Sequence, residues 1–402
     1  MKKIMYINFP QGSHILTSVY LCKELAKENV NLIYYTDKKY FKAFGDAKID
    51  LRPYPDAFFD LYKARSDDQH LYHSIVRLWA VFFEFTEFLL PFIVEEIERE
   101  KPDFIICDHL AIWGKIALKK FNTIPAAFFF TNLIFRAEEK MVWKDTFLEL
   151  LGAATYNLKY VFKCFSLAGK IKKRFGYMMW KPEEILDNKG DFCVVMQSRQ
   201  FQPYGDKFAD NYRFIGPGQI TPPDYKKTER DVIFVFRGTV ESDKKFWEVC
   251  FKALKDVKQK VIISYGGTKS FDFDPKIIPS NFQIVSNLNT EEYLAVLKRA
   301  ALFISHGGVN SVSESLAYGT PLVVITNAFQ NHPLGVRVKD LGCGEYFHRN
   351  KLTVNRLRDT VLKVLNDETY YENAEKVRQS YVDTMPLRAN IVKELNKEFN
   401  LF

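Results

Sequence analysis

Two groups of residues in this sequence have the types and spacing for chemistry. The first is His14 with Asp108. An imidazole titrates near neutrality, so it can take a proton from a hydroxyl. A carboxylate bonded to its other nitrogen fixes the tautomer and stabilises the imidazolium. His14 follows Gln11-Gly12-Ser13 in a loop, and Asp108 directly follows the apolar run Phe104–Cys107. A loop histidine can equally cap the helix that comes after it. The second group is His306, Gly307, Gly308, Asn310, Ser311 and Glu314. A glycine turn that opens a helix gathers unpaired N–H groups at a positive dipole end, which suits phosphate. His306 can hydrogen-bond an oxyanion there. Glu314, one turn in, suits a diol such as ribose.

Such residues need parallel strands to present them. Lys3–Phe9 reads as a strand, Leu16–Lys27 as a helix with Ile15, Val19, Cys22 and Ala26 inward, and Asn31–Tyr35 as the next strand. This opening implies a parallel sheet, with ligands beyond the carboxyl ends of the strands, where His14 and Asp108 both fall. Gly12 alone does not make a dinucleotide fingerprint, which needs three glycines. Leu71–Glu100 reads as a long helix interrupted at Pro91, with Leu71, Ile75, Leu78, Phe82, Phe85 and Leu89 along one side. Trp113-Gly114 opens a helix leading to the strand Ala126–Phe130, and Phe192–Met196 ends the first sheet. The α/β rhythm restarts with the strand Val232–Phe236, the turn Arg237-Gly238-Thr239 and the helix Asp243–Leu254. Strands follow at Val261–Ser264, Phe282–Val285 and up to Phe303-Ile304. The helix from Val309 stops at Gly319, with Pro321 two residues on. Asp272-Phe273-Asp274, in a loop followed by Pro275 and Pro279, is a chance match to a metal motif.

The stretch FISHGGVNSVSESLAYGTPLVVITNAFQN resembles the donor-binding signature of nucleotide-sugar-dependent glycosyltransferases of the GT-B fold, especially the bacterial macrolide and antibiotic type. That signature is His-x-Gly-x-x-Ser-x-x-Glu, Gly-x-Pro, an acid-Gln pair and Leu-Gly-x-Gly. Here it stands as His306, Gly308, Ser311, Glu314, Gly319-Thr320-Pro321 and Leu341-Gly342-Cys343-Gly344. The resemblance implies an α/β chain of two Rossmann-like domains whose parallel sheets face across a cleft. Residues 1–217 would take the acceptor, 218–230 form the linker, 231–384 take the donor, and a helix in 385–402 cross back.

The same resemblance implies an inverting transfer with His14 as base and Asp108 orienting it. The donor would be a UDP- or dTDP-linked sugar. Its diphosphate would rest on His306, Gly307, Gly308, Asn310 and Ser311, with Gly238 and Thr239 near the phosphates and Glu314 on the ribose. No metal or separate cofactor is expected, because the helix dipole and His306 take the leaving diphosphate. Phe82, Phe85, Trp113 and Phe147 are the aromatic residues assigned to an apolar acceptor.

Three departures from the pattern bear on function. Gln330-Asn331 stands where the family's sugar-binding acid-Gln pair would be, and two amides lack the charge-assisted bonds of a carboxylate. This implies an altered sugar choice, or a site that has lost its sugar chemistry. Glu292-Tyr293 stands where a Pro-Gln helps hold the base, and Tyr293 is placed to stack on uracil or thymine. Phe236-Arg237 replaces Ser-Leu before Gly238-Thr239, and Arg237 either contacts phosphate or is simply exposed. A non-catalytic auxiliary protein of the same fold, or a nucleotide-sugar epimerase, are the alternatives.

Composition sets the bounds. With 402 residues, 47% hydrophobic and 26% charged, the chain suits two ordinary domains. A net charge of +8 adds little to a nucleic-acid reading. Six cysteines without a Cys-x-x-Cys pair suggest free thiols in a reducing cytosol. No run is long and apolar enough to span a bilayer, since the best, Leu78–Val94, contains Glu84 and Glu87. A cytoplasmic location is expected. In 140–180, Leu158, Val161, Phe162 and Phe165 continue an apolar helical stripe that ends in Lys170, Lys172, Lys173 and Arg174. Three readings stand: a core helix with a solvated basic end, the wall of an apolar acceptor site, or a surface in 159–180 resting on anionic lipid.

Overall fold

The computed structural model describes residues 1–66, 71, 74–134, 158–177, 190–218, 220–222, 229–236, 244–266, 273–326 and 328–402. The expected positions Phe147, Arg237, Gly238 and Thr239 lie outside the described residues, as do 178–180. Two compact units are present: Met1–Gln219 together with Thr384–Phe402, and Ile220–Asp383.

The first unit runs β1 (Lys2–Ile7), α1 (Gly12–Leu25), β2 (Val30–Thr36), β3 (Asp50–Pro53), α2 (Asp56–Ser66), α3 (Ile75–Glu100), β4 (Phe104–Asp108), α4 (Ile112–Lys120), β5 (Ala126–Phe130), α5 (Leu158–Phe175), β6 (Phe192–Val195) and β7 (Tyr212–Phe214). Its sheet has the order β3-β2-β1-β4-β5-β6-β7, and every pairing is parallel. Strands buried on both faces explain the unbroken apolar runs, such as Ile4–Ile7 and Phe104–Cys107. The order reverses between β1 and β4, which opens a crevice beyond their carboxyl ends. Ile7 pairs with Cys107, so Asp108 lies beside the exit of β1.

Three expectations are corrected here. Helix α1 begins at Gly12 and not at Leu16: the Gln11 carbonyl accepts from the N–H groups of His14 (2.9 Å) and Ile15 (3.0 Å). His14 therefore sits in a helical first turn, not a loop. Helix α3 begins at Ile75 and runs unbroken through Pro91. Proline in a helix costs about 3 kcal/mol, and here the fully buried Leu89, Leu90 and Ile93 hold the turns on either side of it. The first sheet does not end at Phe192–Val195, because β7 adds an edge strand of three residues.

The second unit runs β8 (Val232–Phe236), α6 (Lys244–Leu254), β9 (Lys260–Ser264), β10 (Phe282–Val285), α7 (Thr290–Arg299), β11 (Ala300–Ser305), α8 (Val309–Ala317), β12 (Leu322–Thr326), α9 (His332–Asp340), β13 (Gly344–His348), α10 (Val354–Leu365) and α11 (Glu368–Val382). Its strands are also parallel, in the order β10-β9-β8-β11-β12-β13. The reversal falls between β8 and β11, and His306 follows β11 directly. Gly344 opens β13 against its neighbour so closely that a Cβ there would lie 2.0 Å from the Leu322 carbonyl oxygen. That contact accounts for the last glycine of Leu-Gly-x-Gly.

Helix α12 (Met385–Phe399) belongs to the first unit. Ile391, Val392 and Leu395 join the core that holds Ile4, Phe104 and Phe192. Arg388 is buried, stacks 4.3 Å from the Tyr20 ring centroid, and donates to the carbonyls of Pro217 and Gly218.

Candidate active site

In the first unit, β1 feeds directly into α1, which sets His14 over the switch point beside the end of β4. His14 Nδ1 lies 2.8 Å from Asp108 Oδ2, and both side chains are buried. The other carboxylate oxygen accepts from the Leu110 backbone N–H at 2.8 Å. Burial works against a charge on Asp108. His14, then His109 and the Leu110 N–H, outweigh it and hold the carboxyl below its ordinary range. An ionised Asp108 accepts a hydrogen bond from Nδ1–H, which keeps the proton on Nδ1 and leaves Nε2 as the unprotonated nitrogen of His14.

Three neighbours of His14 have no role assigned from the sequence, where His109, next to Asp108, reads as a loop residue. Thr131 Oγ1 lies 3.2 Å from Nδ1 and 3.4 Å from Nε2. His109 stacks on His14 with ring centroids 5.4 Å apart at 19°. Phe9 meets the His14 ring edge-on at 5.2 Å. Thr131 directly follows β5, so the rule that ligands gather at carboxyl ends had the power to find it. Burial pushes His109 down to about 3, so it is neutral near pH 7. His14, Asp108 and His109 bring one ligand atom each within 4.8 Å of one another, a grouping with metal-binding potential that sequence spacing does not signal.

In the second unit, Gly307 turns with φ +82°, and a Cβ on it would lie 2.7 Å from Val324 Cγ1. A Cβ on Gly308 would lie 2.8 Å from His306 Nε2. The turn therefore needs both glycines to bring backbone N–H groups and the imidazole together. No side chain caps the start of α8. Glu314 is half-buried and accepts from the Tyr293 hydroxyl at 2.7 Å. Burial pushes the Glu314 carboxyl up to about 7, against the pull of the Tyr293 hydrogen bond. Ser311 is buried and also hydrogen-bonds Tyr293.

Each of these two groups of residues thus lies at the switch point of its own all-parallel sheet. Residues 248–397 match the family of erythromycin biosynthesis protein CIII-like C-terminal domains. Over 390 residues the chain is 28% identical to the uncharacterized UDP-glucosyltransferase YojK of Bacillus subtilis (strain 168), covering 94% of this chain and 93% of that protein. The crystal structure of the kitacinnamycin glycosyltransferase matches with a TM-score of 0.78 at 19% identity, over 98% of this chain and 99% of that one. The glycosyltransferase VinC in complex with dTDP matches with a TM-score of 0.64 at 17% identity, over 98% and 100%. The chain has the GT-B fold.

Within this GT-B chain several assigned residues have other partners. Asn331 is buried and donates from Nδ2 to the His306 carbonyl oxygen at 3.1 Å, so its amide braces the glycine turn. Gln330 is half-buried beside it. Tyr293 is not a free stacking face: its ring packs edge-on to Phe234 at 5.5 Å and Phe236 at 6.0 Å. Glu292 is spent on a capping box with Asn289. On the acceptor side, Trp113 is 0% exposed, and Phe85 packs against Phe58 at 5.2 Å and Tyr62 at 5.6 Å. Both are core residues in place of the expected acceptor wall. Phe82 approaches the base through Phe9, whose ring it meets edge-on at 5.5 Å. The apolar stripe expected to be core also breaks down in α5, where Phe162 and Phe165 are exposed.

No helix among the described residues is long and apolar enough to cross a membrane.

Proposed function

We propose that this chain is an inverting glycosyltransferase that moves a sugar from a UDP- or dTDP-linked donor to a hydroxyl of an apolar acceptor, without a metal or separate cofactor. The observation that carries the reading is the buried 2.8 Å contact between His14 and Asp108 at the switch point of the first sheet. His14 Nε2 takes the acceptor hydroxyl proton, and Asp108 stabilises the imidazolium that forms. The acceptor oxygen bonds to the anomeric carbon as the bond from that carbon to the diphosphate breaks, from the opposite face. The departing diphosphate carries the negative charge away, to the N–H groups at Gly307–Ser311 and to His306. Glu314 accepts from the ribose hydroxyls, and Gln330 faces the sugar. Metal independence rests on that dipole and His306 matching the charge of the leaving group.

The test is to incubate the purified chain with UDP- and dTDP-sugars and a panel of apolar phenols and macrolactones. Product mass identifies transfer, and the anomeric coupling constant identifies inversion. A new sugar nucleotide from donor alone would favour epimerisation. No turnover with any pair, together with nucleotide binding, would favour an auxiliary protein.

A further inference from the structure

Helix α5 has two unlike faces. Leu167, Ala168 and Ile171 are buried in the core shared with α3, and Cys164 reaches the Val76 carbonyl there. Lys163 pairs with Glu84 at 3.0 Å and Lys170 with Glu87 at 3.4 Å, which fixes the rotation of the helix on α3. That rotation turns Leu158, Phe162 and Phe165 outward, 53%, 70% and 61% exposed. Positions 158, 162 and 165 fall on one helical stripe. The same stripe continues through Gly169 to Lys172 and Lys173, both exposed, with Lys159 and Arg174 exposed at its flanks. No acidic residue occurs between Leu158 and Phe175.

Two large aromatic side chains held in water cost free energy unless something covers them. The inward face is already satisfied by α3, so core packing does not explain the outward one. The charge beside it selects the occupant. An apolar stripe that passes into cations within one helix matches the boundary of a bilayer, where acyl chains meet anionic headgroups. We propose that the outer face of α5 docks on an anionic lipid surface, with Phe162 and Phe165 entering the acyl boundary and Lys159, Lys172, Lys173 and Arg174 meeting lipid phosphates. The proposal does not rest on the glycosyltransferase reading.

The experiment is co-sedimentation of the full chain with vesicles of phosphatidylglycerol and phosphatidylcholine, against vesicles of phosphatidylcholine alone. The wild type is expected to sediment with the anionic vesicles and to be released by salt near 1 M, where the screening length falls to about 3 Å. Phe162→Ser/Phe165→Ser and Lys172→Glu/Lys173→Glu should each lower the partition at least about tenfold, given roughly fivefold per lost cation at a membrane surface. These exposed changes should leave the thermal unfolding midpoint where it is, which separates loss of docking from loss of fold. Equal binding to neutral vesicles, or variants that bind as the wild type does, would overturn the proposal. So would a wild-type dimer that ignores vesicles and is dissociated by Phe162→Ser/Phe165→Ser, since the occupant would then be a second copy.

Discussion

The Tyr293 hydroxyl donates to Glu314 Oε2 at 2.7 Å and so ties α7 to α8. The contact places the one carboxyl of the turn-helix unit under the control of a half-buried phenol. It also sets a pH dependence. Burial lifts Glu314 to about 7, above the ordinary value of about 4.3. The native chain therefore binds this proton more tightly than the unfolded chain. The stability it contributes is full below about pH 4.3 and is lost as pH rises through about 7. Ribose hydroxyls bond better to the ionised carboxylate. Affinity for UDP or dTDP should therefore rise several-fold from pH 6 to pH 8, by calorimetry, and Glu314→Gln should flatten the profile. A flat wild-type profile would remove Glu314 from the ribose.

His14→Ala should lower kcat by about 10²- to 10⁴-fold, the usual range for a lost general base. Nucleoside diphosphate affinity should stay within about twofold, because the proposed donor contacts lie in the second unit. Turnover that survives the substitution would mean that another group takes the proton.

Asp108 supplies a separate, acid-side test. Its folded-state pKa is depressed, so it adds stability above about pH 3.9 that is lost as pH falls through the lowered value. In Asp108→Asn this acid limb of the unfolding curve should disappear, and kcat at pH 7 should fall along with it. A retained acid limb would assign the titration to another carboxyl.

His109 and Thr131 touch the same imidazole but should behave differently. His109 is neutral from about pH 4 upward, so it takes no part in the acidic limb of kcat/KM. His109→Phe should keep the apparent pKa of that limb, whereas Thr131→Val, which removes a hydroxyl 3.2 Å from Nδ1, should shift it. Measuring both profiles separates stacking from hydrogen bonding.

Adjacent amides should divide in the same way. Asn331→Ala removes the brace on the His306 carbonyl and should destabilise the chain by about 1–3 kcal/mol, read by denaturant unfolding. Gln330→Ala should leave stability within about 0.5 kcal/mol and change the ranking of donor sugars. The reverse outcome would exchange their roles.

Much of this was legible in the sequence, and for a common reason. Val232–Phe236, Ala126–Phe130 and Phe282–Val285 are short apolar runs bounded by turn formers, and each is a strand with those limits. The α8 unit was readable because Gly307, Gly308 and Gly319 mark its ends in the chain itself. What was not legible depended on distance. Tyr293 bonds Glu314 and Asn331 bonds His306 across 21 and 25 positions, so their side chains read as free when they are committed. Trp113 looked like a ligand aromatic because its type is ambiguous, and only the arrival of Phe9, Tyr54 and Phe58 makes it core. In α5 the stripe carried the right period for packing, but α3 can cover only one side of a helix. The sequence contains no mark of which side that is.

The seating of α12 has a bearing on how the protein is made. A ribosome delivers Met1–Gln219 well before Thr384–Phe402, yet both belong to one compact unit. Until α12 emerges, the core surface meant for Ile391, Val392 and Leu395 is bare, and the Pro217 and Gly218 carbonyls await Arg388. The second unit, continuous in the chain, can close while the first still waits. The unit synthesised first is thus the one completed last, and a nascent chain stalled before residue 384 carries an exposed apolar groove that chaperones would bind.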